Sequence, residues 1–258
     1  MLETPLSTLF ATALADPRLP WAIAVAAISG LVRGFTGFGS ALIYMPLISV
    51  VYDPRLAAPT LLLIDFFCSL PFALRAMPHC NWREVTPVSI AGALALPLGV
   101  LALVLVDALI LRWAISVLVL AALVTLIVGW RYRGRPTLSA SLGVGALAGL
   151  GGGAVQIGAP PLLIFWLGGN NNAVTVRANI MVYFIVQGVL SLVLYVYTGL
   201  FTAETVVLSL LMGIPFAVAL AAGAFWFHGS SDLLYRRVSY VIIALAALVS
   251  LPLFDALR

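Results

Sequence analysis

Two ionisable side chains stand inside apolar sequence: Arg33, in a stretch that begins at Trp21, and Asp65, in a stretch that begins near Leu56. A charge in hydrocarbon is expensive and is kept where it serves a pathway or a partner. Arg33 therefore reads as an anion ligand or as an ion-pair partner, and Asp65 as a proton carrier or as that same partner. Next to Arg33 runs Gly-Phe-Thr-Gly-Phe-Gly-Ser at 34–40, and Gly-Gly-Gly-Ala-Val-Gln-Ile-Gly follows at 151–158. Flexible backbone at membrane depth must be satisfied by protein or by a water-lined cavity. Both segments are thus expected to line a path for a small polar solute, with Gly37, Gly39, Gly153 and Gly158 supplying the backbone. A helix starting after each turn, near Ser40 and near Ala159, would turn N–H groups and partial positive charge toward an anion. Thr36, Ser40, Gln156 and Asn179 add hydrogen-bond donors for oxyanion oxygens, and Arg177 adds a second cation. A purely structural reading stands beside this one. Gly30-x-x-x-Gly34, Gly145-x-x-x-Gly149 and Gly149-x-x-x-Gly153 also suit close helix packing, hydroxyls and amides also cap helices, and Arg177 also suits an interfacial anchor.

The same residues exclude other chemistry. All 13 basic residues are arginine, so neither a Walker A loop nor a Schiff-base cofactor has its lysine. Transport, if that is the function, is secondary or passive. Gly37-Phe38-Gly39-Ser40 lacks the order of a nucleophile elbow, and the two histidines, His79 and His228, fall in loops away from that serine. Cys68 and Cys80 show no CxxC spacing, and Cys68 is most simply a packing residue. No enzyme, cofactor or metal site is expected, and the net charge of +4 lies without a basic run, against nucleic-acid binding.

The elements that must position these residues are membrane helices. The 258 residues are 63% hydrophobic and 9% charged, with mean hydropathy +1.16, and apolar stretches of about 20 residues, enough to span roughly 30 Å of hydrocarbon, recur from Trp21 onward. The first twenty residues lack a basic n-region, so the N-terminus is expected to be retained. Sliding the sequence by 119 residues superposes Ala27, Gly30, Leu31, Gly34 and Gly39 on Ala146, Gly149, Leu150, Gly153 and Gly158. A slide of 125 aligns Asp107 and Arg112 with Asp232 and Arg237. The expected organisation is two copies of one unit. Residues 1–136 would hold a broken helix over 21–51 and crossings over 56–76, 86–106 and 110–130. Residues 137–258 would hold a broken helix over 137–167, interrupted at Gly151 to Gly153, and crossings over 175–198, 203–227 and 235–254.

Each broken block either crosses once as a kinked helix or enters and returns on one side. Loop arginines favour the second, placing Arg75, Arg83, Arg131, Arg133, Arg135, Arg177, Arg236 and Arg237 on one side against Arg18, Arg55, Arg112 and Arg258. Each half then has an odd number of full crossings. The expected fold is an all-α polytopic membrane protein of two inverted repeats, each a Gly-rich broken or re-entrant helix pair plus three transmembrane helices.

The Gly-rich broken block with Gly34, Gly37, Gly39 and Pro46, its repeat at Gly149 to Pro161, and Val-Arg-Ala-Asn at 176–179 resemble the TauE/SafE family of sulfite and organosulfonate exporters. The resemblance covers nearly the whole chain. It implies a multi-pass carrier of the bacterial cytoplasmic (inner) membrane that exports a small sulfur anion, most simply sulfite, with a small inorganic or organosulfonate anion and the lipid bilayer as partners and a homodimer as a further expectation. A passive anion channel is the alternative. The halves are not identical: Ala58-Pro59-Thr60 stands where the second repeat has Arg177-Ala178-Asn179, and Gly37 where it has Gln156.

Overall fold

In the computed structural model, residues 6–129, 132, 137–168, 171–226, 241 and 243–248 are described. Their regular structure is helical throughout: α1 (Leu6–Leu14), α2 (Leu19–Thr36), α3 (Ser40–Val51), α4 (Pro54–Ala76) with a closing 3₁₀ turn (Met77–His79), α5 (Trp82–Leu105), α6 (Ala108–Val128), α7 (Leu138–Val155), α8 (Ala159–Gly168), α9 (Ala173–Tyr197) and α10 (Ala203–Trp226). The starts are set locally. Asp53, Asp107 and Asn172 accept from Arg55 N, Leu109 N and Thr175 N at 2.7–2.8 Å, which satisfies one of the free N–H groups of each first turn.

Among the described residues, six helices are long and apolar enough to cross a membrane: Pro54–His79, Trp82–Leu105, Ala108–Thr125, Leu138–Val155, Val174–Tyr197 and Ala203–Phe225. Leu94, Leu105 and Ile214 are each more than two-thirds exposed, an outward apolar face that suits lipid rather than water. The chain is a polytopic all-α membrane protein. The segments 56–76, 86–106, 110–130, 175–198 and 203–227 fall on α4, α5, α6, α9 and α10, whereas 235–254 lies mostly outside the described residues, which are helical at 241 and 243–248.

The interruptions sit later than the glycine density suggests. α2 runs through Gly34 and stops at Gly37, and α7 runs through Gly151, Gly152 and Gly153 to Val155, so the second break is at Gln156 to Gly158. Close packing uses the last of these three glycines: a Cβ on Gly153 would overlap Leu96 O of α5. The same holds for a set of glycines 119 residues apart. Gly30 and Gly34 of α2 lie against the carbonyls of Phe216 and Leu220 of α10, while Gly149 and Gly153 of α7 lie against those of Gly92 and Leu96 of α5. Numbers rise together along both pairs, so each pair is parallel. α2 and α7, the opening helices of the two broken blocks, are thereby each packed on a long helix distant in sequence.

Each broken block is folded back on itself. Arg18 Nη1 donates to Val51 O at 3.2 Å and Tyr52 Oη to Asp16 Oδ2 at 3.0 Å, joining the start of the α2–α3 block to its end. Tyr132 N donates to Ile164 O at 3.1 Å and does the same for α7–α8. The mouths of these two hairpins lie at opposite ends of α5. Arg55, beside the first mouth, donates to Leu103 O and Val106 O at the close of α5, and Asn171, beside the second, donates to Glu84 at its start.

The first mouth carries a pH dependence. The Arg18 guanidinium, 2.9 Å from Asp16, holds that carboxyl down from 3.8 to about 2. A depressed folded value means the tie stabilises above the ordinary carboxylate range and is lost as pH falls through about 4 toward 2. Melting in detergent should therefore be flat from pH 5 to 8 and should drop on further acidification. Asp16→Asn should shrink that acid drop by less than about 1 kcal/mol, because Arg18 is half exposed.

Candidate functional site

The tips of the two hairpins meet at a cavity of about 80 Å³. A water needs roughly 10–15 Å³ of such space, so an oxyanion of four or five heavy atoms fits. Gly39 and Ser40 of the first turn and Gln156 and Ile157 of the second both line it, with α4 and α9 closing the sides.

Arg33 is the buried cation of this cavity, 6% exposed. Its Nε lies 2.9 Å from Asp65 Oδ1 and 3.3 Å from Ser69 Oγ. Its Nη1 donates to Gly37 O at 2.7 Å, and its guanidinium stands 5.4 Å over the Phe184 ring. Arg33 thus caps the last turn of α2, and the chain leaves the helix at Gly37 with φ +77°, the left-handed conformation that glycine adopts without penalty. Ser40 Oγ and Ser69 Oγ both donate to Asp65 Oδ1, at 3.3 and 3.4 Å. One carboxylate oxygen therefore gathers α2, the start of α3 and α4 at one point.

The second turn reaches the same geometry by a different residue. Gln156, 119 positions after Gly37, closes α7 at φ +58° and is the one non-glycine at positive φ among the described residues. A side chain in that conformation costs roughly 1–2 kcal/mol. It is held there: Gln156 Nε2 donates to Tyr195 Oη at 2.9 Å, and Tyr195 Oη donates to Gly153 O at 3.3 Å. The helices that follow also differ. α3 starts with backbone N–H donors from Ser40 onward, whereas α8 opens Ala159-Pro160-Pro161, and neither proline has an N–H. The donor supply at the cavity is therefore lopsided toward α3.

Arg33, Gly39, Ser40, Asp65 and Gln156 thus come together on one cavity. Gly37 and Arg177 line a smaller void on the far side of Arg33, where a Cβ on Gly37 would stand 2.9 Å from Arg177 Nε, so the α9 cation lies flat against the first turn. Gly153 faces α5, and Gly158 lies under α7, where a Cβ would stand 2.7 Å from Ala148 O. Asn179 is off the cavity: fully buried, its Oδ1 accepts from Asn81 N at 2.8 Å and fastens the loop before α5. Thr36 ends α2, and its side chain lies outside the described residues. Local reading missed Ser69 and the polar row Tyr183, Gln187 and Ser191 on α9, all on the cavity wall. Their spacing of four, which puts them on one helix face, was the available signal.

The model of the family described as Sulfite exporter TauE/SafE matches residues 22–250. The chain belongs to the TauE/SafE family. The match takes in both interruptions and every residue of the cavity wall. No curated protein and no solved structure matches the chain. TauE/SafE is a family of membrane transporters for sulfur anions, and the TauE/SafE chain described above is multi-pass, with six helices of spanning length among the described residues.

Proposed function

We propose that the protein exports a small sulfur oxyanion, sulfite by first choice, across the bacterial cytoplasmic membrane by alternating access. The observation that carries this reading is the cavity at which both helix interruptions meet around Arg33. Irregular backbone at membrane depth is tolerated where it lines a solute site, a helix start favours an anion, and Arg33 adds the ionic donor. The hairpins, opening at opposite ends of α5, read as re-entrant elements of two inverted repeats, and rocking of one bundle against the other would open the cavity to each side in turn. With the cell interior negative, each exported negative charge gains about 2.3 kcal/mol per 100 mV, so outward flux needs no obligatory coupling ion. Asp65, at the hub of the cavity, is the group through which a proton gradient would add to that drive.

Purified protein in liposomes tests this. Sulfite flux is expected to saturate and to show counterflow; flux linear in concentration with no counterflow would establish a channel instead. A pH gradient should accelerate the wild type, and Asp65→Asn should reduce that acceleration while keeping voltage-driven flux. Gradient-driven flux undiminished in the variant removes Asp65 from coupling.

A further inference from the structure

The α9 wall of the cavity carries two polar atoms that the packing leaves unused. Tyr183 is 1% exposed and Gln187 is 5% exposed, and both line the cavity. Among the described residues, neither Tyr183 Oη nor Gln187 Oε1 has a hydrogen-bond partner. The amide orientation is fixed chemically: Gln187 Nε2 donates to Ser89 O at 3.1 Å, a carbonyl can only accept, and the oxygen is therefore the end left over. The pair is seated by α5, since a Cβ on Gly92 would stand 2.6 Å from Tyr183 Oη and 2.9 Å from Gln187 Nε2. Two side chains of the wall, both packed against α5, thus carry one hydroxyl able to donate and one oxygen able only to accept.

The charge balance points the same way. The charged and titratable groups on the cavity are Arg33 from α2, Asp65 from α4 and Tyr183 from α9, with none from α3, α5, α7 or α8; Arg177 lies behind Gly37 on the smaller void. Arg33 and Asp65 cancel as a pair at 2.9 Å. What remains for an anion is the start of α3, whose free N–H groups carry partial positive charge. A second negative charge on the ligand would face the Asp65 carboxylate in a medium of low dielectric.

Resting on the transport reading above, we propose that Tyr183 and Gln187 select a singly charged oxyanion that still bears a hydroxyl, which for sulfite is hydrogensulfite. Tyr183 Oη donates to an ionised oxygen of the ligand, and the ligand's own O–H donates to Gln187 Oε1. A fully ionised oxyanion has no proton to give that acceptor and leaves it buried and unsatisfied.

Binding to the purified protein in nanodiscs, followed by calorimetry from pH 5.5 to 8.5, separates the possibilities with three probes: sulfite, whose second ionisation lies near neutrality, methanesulfonate, which stays singly charged without a hydroxyl, and sulfate, which stays doubly charged. The apparent sulfite affinity is expected to fall about tenfold per pH unit above that ionisation, following the fraction of the competent species. Methanesulfonate affinity should stay level, which separates titration of the ligand from titration of Asp65, and sulfate should bind at least about tenfold more weakly than sulfite at low pH. Tyr183→Phe should weaken sulfite and methanesulfonate alike by about tenfold, the worth of one buried donor. Gln187→Met should weaken sulfite alone and erase its preference over methanesulfonate. Sulfate bound as tightly as sulfite, a flat sulfite profile, or a Gln187→Met variant that loses both anions equally would overturn the proposal while leaving transport intact. Absence of binding by all three anions at every pH would overturn the transport reading and this one with it.

Discussion

Arg33→Ala should reduce oxyanion flux by about 100-fold or more, because removing one member of a hydrogen-bonded ionic contact in a desolvated site costs roughly 2–5 kcal/mol. The same change should lower folding stability by about 3 kcal/mol, since Asp65, only 22% exposed, is then left without its partner. The two effects separate in the double variant. Arg33→Ala combined with Asp65→Ala removes both charges, so the melting temperature should recover most of its loss while the flux does not. Liposome flux read beside detergent melting checks both parts. Flux in Arg33→Ala within threefold of wild type would leave Arg33 as a cap of α2 and a partner for Asp65, with no part in holding the anion.

The second large effect lies away from the cavity. Gly34→Ala and Gly149→Ala should each cost about 3 kcal/mol, the upper end for overpacking, and should cut the yield of folded protein sharply. In both cases the new methyl meets backbone of the neighbouring helix, Leu220 O for one and Gly92 O for the other, and backbone cannot swing aside as a side chain can. Gly143 provides the control on the same helix as Gly149. Nothing lies within 4 Å of a Cβ there, so Gly143→Ala should be neutral or should stabilise by up to about 1 kcal/mol through helix propensity. Size-exclusion profiles and thermal melting of the three variants decide the matter. Equal behaviour of Gly143→Ala and Gly149→Ala would mean that composition, and not helix contact, explains the glycines.

What could be read in advance from the sequence depended on how many explanations a residue admits. An arginine and an aspartate inside apolar segments admit few, and Arg33 and Asp65 do stand 2.9 Å apart on the cavity. Paired glycine positions admit two, a turn or a close contact, and only the neighbour decides between them. For Gly153 the neighbour is α5, distant in sequence, so local reading placed the break where the helix in fact continues. Asn179 depends on a distant neighbour in the same way. Its amide suits an anion, but the bond from Asn81 N, 98 residues away, to its oxygen holds the side chain off the cavity wall. Tyr183 and Gln187 were hidden by the opposite effect: α9 is so apolar that two polar groups on one face pass as interruptions of a hydrophobic run. Gln156 was legible as a departure from the glycine of the first half, though its left-handed backbone was not, since only the Tyr195 contact makes that conformation tenable.

The exchange of partners between the halves, α2 on α10 and α7 on α5, has a consequence for biogenesis. Gly30 cannot meet its carbonyl until Phe216 has left the ribosome, a wait of roughly 10 to 40 s at ordinary rates of synthesis. Throughout that interval the grooved side of α2 has only lipid or the insertion machinery to cover it. A truncated product ending before α10 would keep that side bare permanently, which makes it a natural substrate for membrane quality-control proteases.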